Sequence, residues 1–185
     1  MGIDVRFANP GEPDSFRALS DEKTRAYFGE TLPNPKFVPF PIEEVASIGW
    51  VLGIPLIVDN TAAPITCRPF DLGAAIVVHS LTKYIGGHGT SIGCIIIDSG
   101  DFDWIANPGQ QPHFNTPDRS YHGAIWGELV PEVLGAPIAY AVRARVVLLR
   151  DLGAALSPTN AFNIIQGVET LALRFNQHQK MLVNL

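Results

Sequence analysis

The sequence predicts an α/β fold with a mostly parallel sheet that ends in long helices. Two nearly continuous apolar runs, residues 54–58 and residues 74–79, alternate with helical or irregular segments. Strands that are apolar on both sides are typical of a parallel sheet covered on both faces. Functional groups of such sheets gather just beyond the carboxyl ends of the strands. Asp59 and Ser80 directly follow the two runs and are therefore the first candidates for a functional site.

The N-terminal part of the chain is expected to supply strands and helices ahead of these runs. The predicted elements are a strand at 5–8, a helix at 13–22, a strand at 24–30, a turn at 32–35 and a helix at Ile42–Leu52. The last helix is amphipathic, and its predicted apolar face consists of Ile42, Val45, Ala46, Trp50 and Val51. Gly53 can end this helix in a left-handed conformation.

The C-terminal half is expected to add one strand and two long helices. The strand covers residues 93–98. Residues 101–131 are irregular and rich in Gly, Pro, Asn, His and aromatic residues, which indicates a binding loop or a partner contact. One helical segment follows at 137–156. A second begins at Ser157 and Pro158, an N-cap followed by a proline at the first helical position, and continues to the end of the chain.

Composition excludes several classes of function. The 185 residues are 46% hydrophobic and 17% charged, which is typical of a globular chain rather than a disordered one. A formal net charge of -5 without a Lys/Arg cluster argues against nucleic-acid and anionic-membrane partners. Without a signal segment or a run of roughly 18 apolar residues, the cytoplasm is the expected location. Two cysteines are too few for a disulfide framework.

The functional prediction centres on Lys83 and pyridoxal 5′-phosphate (PLP). This cofactor needs an amine to bond its aldehyde, an anion opposite its pyridine nitrogen, and hydrogen-bond donors for its phosphate. Lys83 supplies the amine, and a lysine in a desolvated pocket becomes nucleophilic. Asp59 can keep the ring nitrogen protonated, while Ser80 and Thr82 are hydroxyl donors near the same strand end. Three glycines after the lysine let the backbone pass close to a ligand: Gly86, Gly87 and Gly89.

Other interpretations of these residues stay open. A lone lysine is usually a solvated surface charge, and an aspartate after a strand is often a turn residue. A P-loop or dinucleotide fold is disfavoured, because neither glycine-rich phosphate motif occurs. No metal site is expected, because the histidines lack ligand-like pairing. The histidines considered as possible ligands are His79, His88, His113 and His122.

Three motifs resemble the Cys/Met-metabolism PLP-dependent enzymes. They are residues 30–35 (ETLPNP), 58–61 (VDNT) and 79–89 (HSLTKYIGGHG). The resemblance implies the large domain of a fold type I PLP-dependent transferase, which is the aspartate aminotransferase fold. The roles that it implies are Lys83 bonded to PLP, Asp59 on the pyridine nitrogen, Ser80 and Thr82 on the phosphate, and Asn34 near the ring hydroxyl.

Further segments are similar to the O-acetylhomoserine sulfhydrylase branch: residues 66–69 (TCRP), 117–123 (PDRSYHG) and 149–158 (LRDLGAALSP). This implies replacement at Cγ of O-acetyl-L-homoserine by sulfide or a thiol, which gives homocysteine or methionine plus acetate in methionine biosynthesis. A cystathionine synthase or lyase of the same family, and a non-catalytic structural fragment, remain alternatives. The resemblance also implies a small amino-acid substrate and a homo-oligomer, a dimer-based tetramer.

The chain also departs from the family pattern. Residues 62–65 (AAPI) replace an aromatic and glycine-containing stretch, and Cys94 stands where a second glycine is common. The family's phosphate-binding glycine turn, ring-stacking aromatic residue and substrate-carboxylate arginine are not found. We therefore expect a central part of an enzyme. Residues 1–156 would belong to the PLP-binding large domain, and residues 157–185 would form a long helix that leads towards a C-terminal domain.

Overall fold

The computed structural model describes residues 2–183 and contains a mixed, mostly parallel sheet. Its strands are β1 (Tyr27–Glu30), β2 (Leu56–Asp59), β3 (Ile76–Ser80) and β4 (Cys94–Asp98), in that spatial order. The pairs β1–β2 and β2–β3 are parallel, and the pair β3–β4 is antiparallel. The predicted α/β class with a mostly parallel sheet is confirmed.

Helices occupy much of the remaining chain. They are α1 (Asp14–Ala18), α2 (Ile42–Leu52), α3 (Pro112–Asn115), α4 (Trp126–Leu134), α5 (Ala139–Arg143), α6 (Arg150–Leu152), α7 (Pro158–Glu169) and α8 (Leu171–Val183). A π-helical stretch, Ala144–Leu149, joins α5 to α6. No helix within residues 2–183 is long and apolar enough to cross a membrane.

Each face of the sheet packs against its own hydrophobic cluster, because side chains alternate along a strand. One cluster joins the sheet to α1 and α2 and includes Phe16, Tyr27, Val45, Val58 and Val77. The other joins the opposite face to the segment after β4 and includes Ile76, Phe102, Trp104, Phe114 and Trp126. The central strands β2 and β3 are thus covered on both sides, as their apolar sequences predicted.

The bounds of α2 agree with the prediction, but its buried face is rotated. Ile42, Val45 and Ala46 of the predicted face are buried, whereas Trp50 and Val51 are 40% and 75% exposed. Gly49 is buried in their place. It packs so closely against the following loop that a Cβ at this position would collide with a backbone carbonyl oxygen of that loop. The buried face thus extends over Ile48 and Gly49, and a glycine is needed at position 49 for the close backbone approach.

The first predicted strand is not formed. Residues 5–8 pair with no strand in the described part of the chain and are mostly exposed. Instead, the Arg6 guanidinium donates to the Leu19 carbonyl at 2.7 Å and to the Asp21 carboxylate at 2.6 Å. The hydrogen bond from Arg6 lowers the pKa of the Asp21 carboxyl to about 2. The helix predicted at 13–22 and the strand predicted at 24–30 are both shorter, as α1 and β1.

The segment 101–131 is less irregular than predicted. It contains α3, and α4 begins within it at Trp126 despite Pro131 in the helix interior. Trp126 and Val130, one turn apart, are both buried against the second cluster. Burial of this apolar pair outweighs the hydrogen bond that the proline removes.

The two C-terminal helical predictions also need correction. The helix predicted at 137–156 ends at Leu152, where the Gly153 amide caps the Leu149 carbonyl at 2.8 Å. The helix predicted from Pro158 onwards has its Ser157 N-cap, whose hydroxyl accepts from the Asn160 amide at 3.2 Å. It is two helices rather than one, with a break at residue 170. Residues 184 and 185, which the prediction included, lie outside the described residues.

A matched pair of substitutions in α2 tests the rotated face. Val45→Ala removes buried methyl groups from the first cluster and should lower the free energy of unfolding by about 2 kcal/mol. Val51→Ala makes the same chemical change on an exposed face, so its free energy of unfolding should stay within about 0.5 kcal/mol of the reference value. Urea denaturation followed by circular dichroism measures both, and equal losses would contradict the observed face.

Candidate active site

Asp59 and Ser80 lie at the same edge and on the same face of the sheet. The parallel register pairs Asp59 with Val78, so their side chains point to one side. Ser80 stands two residues beyond Val78 and points to that side as well. The two candidate residues thus lie near each other because β2 and β3 are parallel and β3 ends only two residues beyond the partner of Asp59.

A hydroxyl group links these two strand ends. Asp59 Oδ1 accepts from the Thr61 amide at 2.9 Å and from Thr61 Oγ1 at 2.5 Å. Thr61 Oγ1 in turn accepts from the Ser80 amide at 2.7 Å. Within residues 2–183, Asp59 Oδ2 and Ser80 Oγ have no protein hydrogen-bond partner. Sequence analysis missed the role of Thr61, although a hydroxyl residue two positions after an aspartate is a typical Asx-turn signal.

Lys83 follows Ser80 by one turn. Its amide donates to the Ser80 carbonyl at 3.2 Å, and its carbonyl accepts from the Gly87 amide at 2.8 Å. Its side chain is exposed, and no described carboxylate forms an ion pair with it. The expected desolvated pocket around this amine is therefore not formed by the described residues themselves.

The Thr82 hydroxyl contacts the backbone of Gly93 and not the group at the strand ends. Its Oγ1 accepts from the Gly93 amide at 3.2 Å and lies 3.4 Å from the Gly93 carbonyl oxygen. The Leu81 amide also donates to the Gly93 carbonyl at 2.8 Å. These bonds close the turn between β3 and β4, so the Thr82 hydroxyl faces that turn in this structure.

Asn34 lies beyond the end of β1, the neighbour of β2. It is exposed, precedes a cis peptide bond to Pro35, and makes no side-chain hydrogen bond within the described chain. The structure therefore groups Asp59, Ser80 and Lys83, whereas Asn34 lies at the periphery of the same edge.

His79 points away from this group. It alternates with Ser80 along β3 and is buried, and its Nδ1 has no hydrogen-bond partner in residues 2–183. Burial lowers the pKa of its imidazole, which favours the neutral form. The described residues contain no cluster of three potential ligands that could hold a metal ion.

The three grouped residues fit PLP. A carboxylate oxygen and a hydroxyl, neither of them paired with protein within residues 2–183, lie at one sheet edge, and the residue that carries a primary amine follows in the turn directly after Ser80. These are the anion for a pyridine nitrogen, the donor for a phosphate and the amine for an aldehyde that the cofactor requires. Asp59, Ser80 and Lys83 would hold it, with Thr61 orienting the first two.

Substitutions of Thr61 test the link between the strand ends. Thr61→Val keeps the side-chain shape but leaves the Ser80 amide without its acceptor, so the free energy of unfolding should fall by about 1–3 kcal/mol. Thr61→Ser keeps the hydroxyl and loses one methyl group, so its loss should stay under about 1 kcal/mol. Thermal denaturation of the cofactor-free protein compares the two, and a valine variant as stable as the serine variant would contradict the link.

Two curated relatives align along nearly the whole chain. An O-acetyl-L-homoserine sulfhydrylase from Leptospira meyeri is 49% identical over 183 residues, which cover 96% of this chain and 41% of that protein. A homocysteine/cysteine synthase from Saccharomyces cerevisiae is 44% identical over 187 residues, which cover 100% of this chain and 41% of that protein. The chain thus spans about 41% of the length of these relatives.

A solved structure and a family profile agree with these relatives. A Campylobacter jejuni protein named as an O-acetylhomoserine (thiol)-lyase superposes with a TM-score of 0.85 at 38% identity, covering 97% of this chain and 43% of that chain. That crystal structure contains N′-pyridoxyl-lysine-5′-monophosphate. The profile described as Cys/Met metabolism PLP-dependent enzyme matches residues 1–184. With its lysine, aspartate and serine gathered at one sheet edge, the chain belongs to the Cys/Met-metabolism family of PLP-dependent enzymes.

Proposed function

We propose that this chain forms one wall of the PLP site of an O-acetylhomoserine sulfhydrylase. The observation that carries the proposal is the grouping of Lys83, Ser80 and Asp59 in a chain 49% identical to a protein of that name. The reaction replaces the acetyloxy group at Cγ of O-acetyl-L-homoserine by sulfide or a thiol. Its products are homocysteine or methionine, plus acetate.

Each grouped residue has a defined role in this reaction. Lys83 holds the cofactor covalently before the substrate binds, and its freed amine then takes the proton from the substrate's Cα. When bound, PLP supplies an electron sink that stabilises the negative charge developing at this carbon. Asp59 keeps the pyridine nitrogen protonated through an opposite charge. Ser80 donates a hydrogen bond to the phosphate.

Two further residues extend the proposed site. Thr82 would donate to the phosphate only after its hydroxyl leaves Gly93, since one hydroxyl has a single hydrogen to donate. Asn34 would approach the ring hydroxyl from the end of β1. Both roles are proposed from the family resemblance of the motifs 30–35 and 79–89.

The wider assignment concerns assembly and location. We propose that residues 1–156 belong to the PLP-binding large domain and that residues 157–185 lead towards a further domain. A homo-oligomer, a dimer-based tetramer, in the cytoplasm is the proposed state. Exposed apolar side chains support a protein contact on β4: Ile95, Ile96 and Ile97 are 41%, 46% and 37% exposed.

Reduction with borohydride tests the covalent role of Lys83. The protein expressed from the complete reading frame should, after addition of PLP and reduction, yield a phosphopyridoxyl peptide at Lys83. Lys83→Ala should remove this adduct and lower turnover by about 10²- to 10⁴-fold or more. Lys36→Ala removes an exposed lysine outside the group and should change neither result. A stable adduct at another lysine in the folded protein, detected by mass spectrometry, would refute the assignment.

Parallel assays test the choice of reaction. The same protein should convert O-acetyl-L-homoserine and sulfide to homocysteine and acetate faster than it forms or cleaves cystathionine. Chromatography of the products over time measures both rates and decides between the two activities. Faster turnover of cystathionine would assign the protein to the sister activity of the family, and no turnover with PLP bound would favour a structural role.

A further inference from the structure

The loop that contains Lys83 is held by the two C-terminal helices. We call residues 81–93, which join β3 to β4, the lysine loop. The helices α7 and α8 pack on it, and Asn163 of α7 donates to the buried Ser91 hydroxyl at 3.2 Å. Ile164, one residue further along α7, is buried against the loop near Gly93. The position of the loop therefore depends on helices that follow it by about 70 to 90 residues.

Arg174 of α8 makes the most extensive polar contact with this loop. Its Nη1 donates to the Tyr84 carbonyl at 2.8 Å, and its Nη2 donates to the Ile85 carbonyl at 3.1 Å. Nη2 also donates to the Gly167 carbonyl at 2.8 Å, and Nε donates to Thr170 Oγ1 at 3.1 Å. One guanidinium thus ties the two residues after Lys83 to the junction of α7 and α8.

One glycine of the loop and one of α7 allow the loop and the helices to approach closely. A Cβ on Gly87, which has a φ of 78°, would lie 2.5 Å from Arg174 Cζ and Nη1. A Cβ on Gly167 of α7 would collide with the Gly86 carbonyl oxygen. Gly86 and Gly87 thus allow a close approach between protein groups, and the approach to a ligand that the sequence suggested for them and for Gly89 stays a prediction.

The ring of Tyr84 adds an apolar contact on the same side. It meets Phe175 edge to face at 5.4 Å and His178 at 5.8 Å between ring centroids. Phe175 is 8% exposed. Both the carbonyl and the ring of the residue next to Lys83 are therefore held by α8.

The chemistry of these acceptors suits an arginine in particular. None of the ion pairs found within residues 2–183 includes Arg174, so its partners are carbonyl and hydroxyl oxygens. A guanidinium has five N–H donors in a rigid plane and can reach diverging acceptors at once. A lysine ammonium on a flexible stem cannot reproduce this arrangement.

We propose that Arg174 is a positioning residue for Lys83. It fixes the backbone of residues 84–87 and so sets where the Lys83 amine stands relative to Asp59 and Ser80. The proposal rests on the proposed role of Lys83 in binding PLP and transferring a proton. Proton transfer is sensitive to such placement, since a displacement of about 1 Å can reduce a rate by about 10²-fold.

Hydrogen exchange tests this role without any substrate. The amides of Gly86 and Gly87 are bonded to the carbonyls of Leu81 and Lys83, both at 2.8 Å, and report opening of the loop. In the protein from the complete reading frame, Arg174→Gln should speed exchange of residues 84–89 by about tenfold or more, with exchange in β2 and β3 unchanged. The exchange rates of residues 84–89 in Arg174→Lys should lie between those of Arg174→Gln and those of the reference protein.

A matched control removes an arginine elsewhere. Arg68→Gln alters an 80% exposed side chain paired with Asp71 and should leave exchange of the lysine loop unchanged. Unchanged loop exchange in Arg174→Gln would overturn the proposal. Equal acceleration in the loop, β2 and β3 would also overturn it, because that pattern indicates general loss of stability.

Kinetics of the PLP-loaded protein provide the second readout. Arg174→Gln should lower kcat by about tenfold or more while KM stays near its reference value, and Arg174→Lys should recover part of kcat. A rise in KM alone would overturn the positioning role. If the reference protein does not react with O-acetyl-L-homoserine, the proposed function fails, whereas the exchange result still decides whether Arg174 holds the loop.

Discussion

The parallel pairing of β2 with β3 is the constraint on which the rest of the structure depends. Leu56, Val58, Ile76 and Val77 are all at most 2% exposed, so burial on both faces fixes this pair within the sheet. A slip of one residue would turn one strand's side chains to the opposite face and expose buried groups. The same slip would separate Asp59 from Ser80. The stability of the core and the geometry of the candidate site therefore rest on one register.

The candidate site adds small polar contacts to that register. The Thr61 hydroxyl forms a hydrogen bond with the last residue of each strand. Lys83 follows in the turn after Ser80, where its amide donates to the Ser80 carbonyl. Asp59 Oδ2 and Ser80 Oγ, the two polar atoms proposed to bind the cofactor, have no protein partners within residues 2–183. Hydrogen bonds thus hold the neighbouring atoms in place, while the groups with chemical tasks stay available.

Sequence reasoning succeeded where local pattern and local structure coincide. The strands β2 and β3 are apolar runs that end in polar residues, and α2 has a clear period and a glycine at its end, so they could be predicted. The antiparallel direction of β4 could not be, because the same apolar run suits either direction. The burial of Gly49 in α2 accompanies a close approach to the loop before β2, and the contacts of Arg174 join residues about 90 positions apart. Neither leaves a periodic signal in the sequence.

The glycines after Lys83 show how one motif can satisfy two demands. A glycine-rich stretch beside a cofactor lysine suggests space for a ligand, yet Gly86 meets Gly167 and Gly87 meets Arg174. Because backbone lies directly against backbone at Gly86, no flexible side chain absorbs a displacement between α7 and the lysine loop. A shift of α7 and α8 must then either break the bonds of Arg174 or move the backbone beside Lys83. The packing of two distant helices therefore accounts for Gly86 and Gly87 of the motif independently of the cofactor role proposed for Lys83.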